Sequence, residues 1–234
     1  MTLNKQKLVV ITGVTQGLGR ALIDRFTELG WTVIGCGRSA EKGKQLQSEF
    51  HNKHNFQVID VSDTKAVDSW GKYILKQYGA PQLLINNASI VNQNAPLWMI
   101  SAEEFEGVMD INVNGVVNVI RTYVPAMIEK KRGTIINISS SWGRAGEAEL
   151  APYCASKFAV EGLTQSLALE LPEELTVVSL DPGGGINTPM LHACAPEYIA
   201  SSPTAEDWSH VAIQYILSIT RKDHGKALTC PEVL

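Results

Sequence analysis

Apolar residues in this chain gather in short β-branched runs, separated by longer stretches with helical spacing. The runs Lys7–Thr12, Thr32–Gly35, Phe56–Val61, Gln82–Asn86, Thr134–Ser139 and Thr176–Leu180 predict strands. Several are almost continuously apolar, Leu83-Leu84-Ile85 and Thr134-Ile135-Ile136-Asn137-Ile138 above all. That pattern belongs to strands covered on both faces, as in a parallel sheet. Between them the spacing predicts helices over Gly17–Leu29, Glu41–Phe50, Thr64–Tyr78, from Ser101 toward Lys130, over Pro152–Glu170 and over Ala205–Ile219. Gly30 and Gly79 sit where helices end, and Ser101 with Glu104 forms a capping-box signal. Strand–helix alternation predicts right-handed crossovers and an α/β fold, a doubly wound parallel sheet with helices on both faces. No internal repeat or linker divides the chain, so 1–234 is expected to be a single domain. The stretch 183–203 carries Gly, Pro and Ser without periodicity and is expected to be a long loop or lid.

Composition narrows the partners. The net charge is −4, from 20 Lys and Arg against 24 Asp and Glu, which leaves no basic surplus for nucleic-acid phosphates. Met1–Lys7 is polar, the apolar run after it is too short for a signal or a span, and no later stretch is long enough to cross a membrane. A cytoplasmic protein with neither a membrane nor a nucleic-acid partner is expected. The four cysteines form no CxxC pair and no zinc or disulfide framework, so they read as buried free thiols. His51 and His54, among Asn and Lys, read as part of a solvated loop, with no metal site expected.

The first strand runs into Thr12-Gly13-Val14-Thr15-Gln16-Gly17-Leu18-Gly19 and then a helix. Glycines here permit a tight turn and let backbone approach a pyrophosphate, which the helix N-terminus would hold. An ordinary tight strand–helix turn is the alternative. The second strand ends Gly35-Cys36-Gly37-Arg38-Ser39, with no acid from Trp31 to Ala40 to bind a ribose 2′-hydroxyl. Arg38, with Ser39, is instead placed for a 2′-phosphate, which points to NADP(H) unless Arg38 is a plain surface residue.

Further segments then fall into one order. Asn86-Asn87-Ala88 follows the fourth strand, and Asn112 sits in a later helical stretch. Ser140 follows the fifth strand. Tyr153-Cys154-Ala155-Ser156-Lys157 begins thirteen residues after Ser140, and Pro182-Gly183 follows the sixth strand, with Ile186 and Thr188 close behind. Over nearly the whole chain this resembles the short-chain dehydrogenase/reductase family, which implies a Rossmann fold. Longer segments, such as Trp142-Gly143-Arg144 and Ile186-Asn187-Thr188, resemble members acting on pterin aldehydes. The resemblance implies cofactor contacts at Gly13, Thr15, Gln16, Gly17, Leu18, Gly19, Arg38, Ser39, Asp60, Val61, Asn87, Ala88, Tyr153, Lys157, Pro182, Gly183, Ile186 and Thr188. It implies catalysis by Asn112, Ser140, Tyr153 and Lys157, with Asn112 holding water in a proton relay; a helix-facing Asn112 bonded to backbone is the alternative. It also implies a homodimer or homotetramer, paired through the helices Ser101–Lys130 and Pro152–Glu170. Two departures stand out. Ser89 occupies the place of the family's glycine after Asn-Asn-Ala, and Pro182–Thr188 is one residue longer than usual.

Reducing a carbonyl needs a hydride from the cofactor and a proton from the protein. Tyr153 and Lys157 lie at i and i+4 on one helix face, so the lysine is expected to favour the phenolate and bring the phenol into a working range. Ser140 is placed to donate to the substrate oxygen, although Ser139 and Ser141 offer competing registers. Trp98, Trp142, Met190, Leu191, Tyr198 and Trp208 are candidates for a substrate wall, with packing beneath a loop as an equal alternative. The expected activity is NADPH-dependent reduction of an aldehyde or ketone, a pterin aldehyde among them. A 3-oxoacyl, sugar or steroid carbonyl is the alternative within the enzyme class, and a non-catalytic dinucleotide-binding regulator is the alternative outside it.

Overall fold

The computed structural model describes residues 7–50 and 53–233. Its strands are β1 (Leu8–Thr12), β2 (Thr32–Gly37), β3 (Asn55–Val58), β4 (Leu83–Asn86), β5 (Gly133–Ile138), β6 (Leu175–Asp181) and β7 (Ala227–Thr229). They form one sheet in the order β3-β2-β1-β4-β5-β6-β7, with every pairing parallel. The order reverses at β1, where the chain steps from β3 across to β4, and a ligand crevice opens at such a switch point.

Alternate strand residues feed two cores. Val9 and Ile11 of β1 face one layer, packed by Leu22, Ile23 and Phe26 of α1 (Gly17–Glu28) and by Trp208, Ile213 and Ile216 of α8 (Ala205–Ser218). Leu8 and Val10 face the other, packed by Val67, Trp70 and Ile74 of α3 (Thr64–Tyr78) and by Val119, Tyr123 and Met127 farther along the chain. The strand period of two delivers each residue to its layer.

The expected helix from Ser101 toward Lys130 is three pieces: α4 (Ala102–Met109), a π-helical segment (Asp110–Asn114) and α5 (Gly115–Glu129). Ser101 accepts from the Glu104 amide at 3.1 Å, but the Glu104 carboxylate accepts from the Gln93 amide at 2.6 Å and not from Ser101. The capping box is therefore half made, and its acid pins the loop after β4. The other helices are α2 (Ala40–Phe50), α6 (Ala151–Glu170) and α7 (Pro189–Cys194). The segment read as a loop, 183–203, contains α7 and a 3-10 helix, Pro196–Ser201.

Two expectations change. His54 is buried, not solvated, and its Nδ1 accepts from the Val33 amide at 3.1 Å. That bond satisfies a β2 donor, a role invisible in the polar sequence around it; burial lowers the His54 pKa. His51 and Met1–Gln6 lie outside the described residues. The strand β7, which sequence periodicity did not single out, closes the sheet edge beside β6.

Asn137 is fully buried in β5, accepting from Asn86 Nδ2 at 2.8 Å and donating to Thr164 Oγ1 at 2.9 Å. Asn137→Ala is expected to lower unfolding free energy by about 1–3 kcal/mol in urea denaturation, since it strands a buried donor. An unchanged midpoint would show that this bridge adds nothing.

Candidate active site

A cavity of about 700 Å³ opens at the carboxyl edge of the sheet, lined from the β1–α1 turn to α7. Its floor is built by the turn itself. Gly13 (φ 72°) and Gly17 (φ 58°) take left-handed conformations that disfavour other residues. A Cβ on Gly13 would stand 2.7 Å from Ala88 Cα, and one on Gly19 would stand 2.4 Å from the Gly13 carbonyl. No side chain caps α1: the Gln16 oxygen accepts from Lys42 Nζ at 2.9 Å. The first-turn amides of α1 therefore lack side-chain acceptors, the chemistry a pyrophosphate requires. The donor set fits a dinucleotide.

Thr12 locks this floor to the loop after β4. Its buried hydroxyl accepts from the amides of Asn87 and Ala88, both at 3.0 Å, while Asn87 Nδ2 donates to the carbonyls of Thr12 and Gly13 at 2.8 and 3.1 Å. Thr12 was quoted in the glycine loop but not singled out as functional; its signal was a hydroxyl at the last position of a buried strand. Ser89 has no positive φ, so the residue replacing the family's glycine costs no backbone strain.

At the far end of the floor stand Arg38 and Ser39, which line the cavity with Val61. The Arg38 guanidinium is half exposed and lies 4.0 Å from Asp60. Ser39 accepts from the Lys42 amide at 3.3 Å at the start of α2. Asp60 does not line the cavity: it ties down its own turn by accepting from Ser62.

The other wall carries the titratable groups. Ser140 caps the 3-10 turn Ser141–Gly143, and Tyr153 and Lys157 project from α6; all line the cavity. Both α6 side chains are buried, with Lys157 Nζ 5.4 Å from the Tyr153 ring centroid and 2.9 Å from the Ile138 carbonyl, to which it donates. Burial pushes the Tyr153 phenol well above its ordinary value, and the Ser140 hydroxyl pulls it back only in part. Desolvation of the buried phenolate dominates, and it acts against the phenolate that the i, i+4 spacing is expected to favour. Burial also lowers Lys157 to about 8, opposed by the charges of Glu161 and Asp181. Ser139, Ser140 and Ser141 all line the cavity, and of the three it is the Ser140 hydroxyl that lowers the Tyr153 value.

Asn112 lies on the π-helical segment and does not line the cavity. Its oxygen accepts from the Ile90 amide at 2.8 Å, and its nitrogen donates to the Ile90 carbonyl and to Ser156, each at 2.9 Å. It braces the loop after β4 against α6. Gly19 and Gly183 are also absent from the lining. Gly183 (φ 89°) passes so close to Cys230 that a Cβ would meet its carbonyl. Pro182, Ile186 and Thr188 line the cavity, and Thr188 caps α7 with its methyl over Gly17.

Of the aromatic and apolar candidates, Trp142, Met190, Leu191 and Tyr198 line the cavity. Trp142 meets Tyr153 edge to face at 6.0 Å and donates to Glu147 at 3.1 Å. Trp98 is 84% exposed outside the cavity, and Trp208 is buried in the core, donating to the Pro182 carbonyl at 2.9 Å. Glu147, Cys194 and Ser202 line the same end and were not anticipated.

The family model described as short chain dehydrogenase matches residues 7–198. The chain belongs to that family. It is 44% identical over 225 residues to the NADPH-dependent pterin aldehyde reductase of Arabidopsis thaliana, covering 95% of this chain and 93% of that one. It is 34% identical to a 3-oxoacyl-(acyl-carrier-protein) reductase of Staphylococcus aureus over 76% of this chain and 74% of that one. Among solved structures it resembles the 3-ketoacyl-(acyl-carrier-protein) reductase of Brucella melitensis complexed with NADH, with a TM-score of 0.87 at 25% identity over 95% of this chain and 96% of that one. A Shigella flexneri short chain dehydrogenase complexed with NADP gives 0.85 at 25% identity over the same shares. This family member has the single-domain Rossmann-like architecture, and it is an oxidoreductase.

Thr12→Val keeps the side-chain volume but removes the acceptor of two loop amides. It is expected to cost about 1–3 kcal/mol in unfolding free energy, by urea denaturation. An unchanged midpoint would mean that the loop after β4 is held elsewhere.

Proposed function

We propose that the protein reduces an aldehyde to an alcohol with NADPH, Tyr153 giving the proton and a pterin aldehyde serving as substrate. The observation that carries this reading is the buried Tyr153 phenol, held protonated beside Ser140 and Lys157 in the cleft that runs from the glycine turn. A neutral phenol is a proton donor, which is what carbonyl reduction asks of the protein. When bound, the cofactor supplies hydride.

Gly13, Thr15, Gln16, Gly17 and Leu18 hold the pyrophosphate side, with Asn87, Ala88, Pro182, Ile186 and Thr188 toward the nicotinamide end, while Gly19 and Gly183 let the backbone pack closely behind them. Arg38 and Ser39 take the 2′-phosphate, with Asp60 and Val61 beside them. Arg38 carries the preference for NADPH, and its distance from Asp60 leaves it free to turn to a phosphate. Ser140 donates to the carbonyl oxygen, Lys157 bonds the ribose, and Asn112 keeps the loop after β4 in register with α6.

The pterin reading rests on the wall facing Tyr153. Trp142 and Tyr198 offer aromatic faces to a flat heterocycle, and Glu147 offers a carboxylate to its edge of adjacent N–H donors. The similarity to the Arabidopsis reductase supports the same choice. A homodimer or homotetramer is part of the proposal. Its support is apolar surface on the pairing helices: Ile128 on α5, and Phe158 and Leu169 on α6, are exposed. A cytoplasmic location is also part of the proposal, and no helix among the described residues is long and apolar enough to cross a membrane.

The test is NADPH oxidation, followed by absorbance, against a panel of pterin aldehyde, 3-oxoacyl, sugar and steroid carbonyls. The highest kcat/KM is expected for the pterin aldehyde; a higher value for a 3-oxoacyl thioester would contradict the substrate choice. Arg38→Asp is expected to weaken NADPH binding at least tenfold, the scale of one lost charge-assisted pair, and to weaken NADH binding far less. Equal affinity of the unmodified protein for both cofactors would contradict the role of Arg38. Light scattering at micromolar concentration is expected to give a dimer or tetramer mass, and a monomer mass would contradict the assembly.

A further inference from the structure

One full turn beyond Lys157 on α6 stands a second buried charge. Glu161 is 6% exposed and belongs to no step described so far. Its Oε1 accepts from Arg144 Nε at 3.0 Å, and its Oε2 accepts a short hydrogen bond from Ser179 of β6. Arg144 in turn donates to the Leu228 carbonyl at 2.8 Å and to Thr229 Oγ1 at 2.9 Å on β7. The turn between Ser140 and Arg144 is pressed onto the lysine: a Cβ on Gly143 would stand 3.0 Å from Lys157 Cβ. A buried carboxylate is costly unless its surroundings compensate it, and here the Arg144 guanidinium and the Ser179 hydroxyl do so.

We infer that Glu161 is a positioning residue for Lys157: its buried carboxylate, pinned from behind by Arg144 and Ser179, keeps the ammonium charged and turned into the cleft. The inference rests on the reading that Lys157 meets the cofactor. The geometry is a chain of alternating charge, with Lys157 lining the cleft, Glu161 one turn behind it and Arg144 outermost, bonded to β7. The other groups around the lysine are few. Tyr153 shares its helix face, Asp181 approaches from the end of β6, and β5 contributes only the neutral Ile138 carbonyl. The π-helical segment turns Asn112, an uncharged amide, toward α6. Of these, Glu161 and Asp181 favour the charged lysine against burial, Glu161 more strongly. The network explains why a lysine with so little solvent around it can still present a cation.

The two partners of Glu161 make the inference testable by sign. Removing the carboxylate takes a stabilising charge from Lys157, so the lysine should lose its proton at lower pH. Removing Arg144 leaves Lys157 as the principal cation near that carboxylate, so the proton should be held to higher pH. The readout is NADPH affinity by fluorescence titration without carbonyl substrate, followed across roughly pH 7 to 10, the range a perturbed lysine spans. The unmodified protein is expected to lose affinity as pH rises through the Lys157 value. Glu161→Gln should move that limb down by on the order of one pH unit, and Arg144→Gln should move it up. A purely structural role would lower affinity at every pH without moving the midpoint, and a limb that stays put in either variant overturns the inference. Should Glu161→Gln fail to fold, Arg144→Gln decides alone: an upward shift supports the role, and an unmoved or downward limb overturns it. An unmodified protein with no limb at all, or one that Lys157→Met leaves unchanged, contradicts the cofactor contact of Lys157 and not merely the role of Glu161.

Discussion

A parallel sheet covered on both faces sends its strand side chains into two dry layers, so the chemistry collects at one edge. That constraint shapes this protein. Val9 and Ile11 point into one core and Leu8 and Val10 into the other, so β1 first meets a polar partner at Thr12. There the hydroxyl is taken by the loop after β4, and the turn that follows can lie only where glycine permits. The cavity, the glycine turn, Ser140 at the end of β5 and Asp181 at the end of β6 all follow from the strands sharing one direction.

The same burial sets the electrostatics. Removing water raises the Tyr153 phenol and lowers the Lys157 ammonium, because each loses solvation of its charged form. The phenol is thereby kept as a donor. The lysine needs compensating charge to remain a cation, and Glu161 supplies it from one turn away, anchored through Arg144 to β7. The last short strand thus supports the site although it contributes no residue to the reacting face. The turn after Ser140 is clamped between α6 and β7 by the same arginine, so Ser140 and Lys157 are fixed by one set of contacts.

Much of this was legible in the sequence, for identifiable reasons. The continuously apolar runs located all of the central strands, because a strand buried twice leaves no polar face to confuse the reading. The glycine turn and the Tyr153–Lys157 spacing were legible because each demands particular residues at particular intervals. What escaped depends on contacts distant in sequence. His54 looks solvated in its polar stretch, but it accepts from Val33 on a neighbouring strand. The interruption of the long helix at Asp110–Asn114 has no periodic signature. Trp98 and Trp208 are both apolar and aromatic, yet one faces solvent and the other the core, which only packing decides. The burial of Tyr153, which opposes the expected phenolate, escaped because spacing carries no information about dielectric.

The central claim is that Tyr153 delivers the proton while the cofactor is held by other groups. Tyr153→Phe keeps the ring packed against Trp142 and removes only the hydroxyl. Turnover of an aldehyde substrate, measured beside NADPH binding to the same variant, tests the claim directly. The account predicts a loss in kcat on the order of 10² or more, with NADPH affinity little changed. A variant that reduces the aldehyde at the unmodified rate would contradict it.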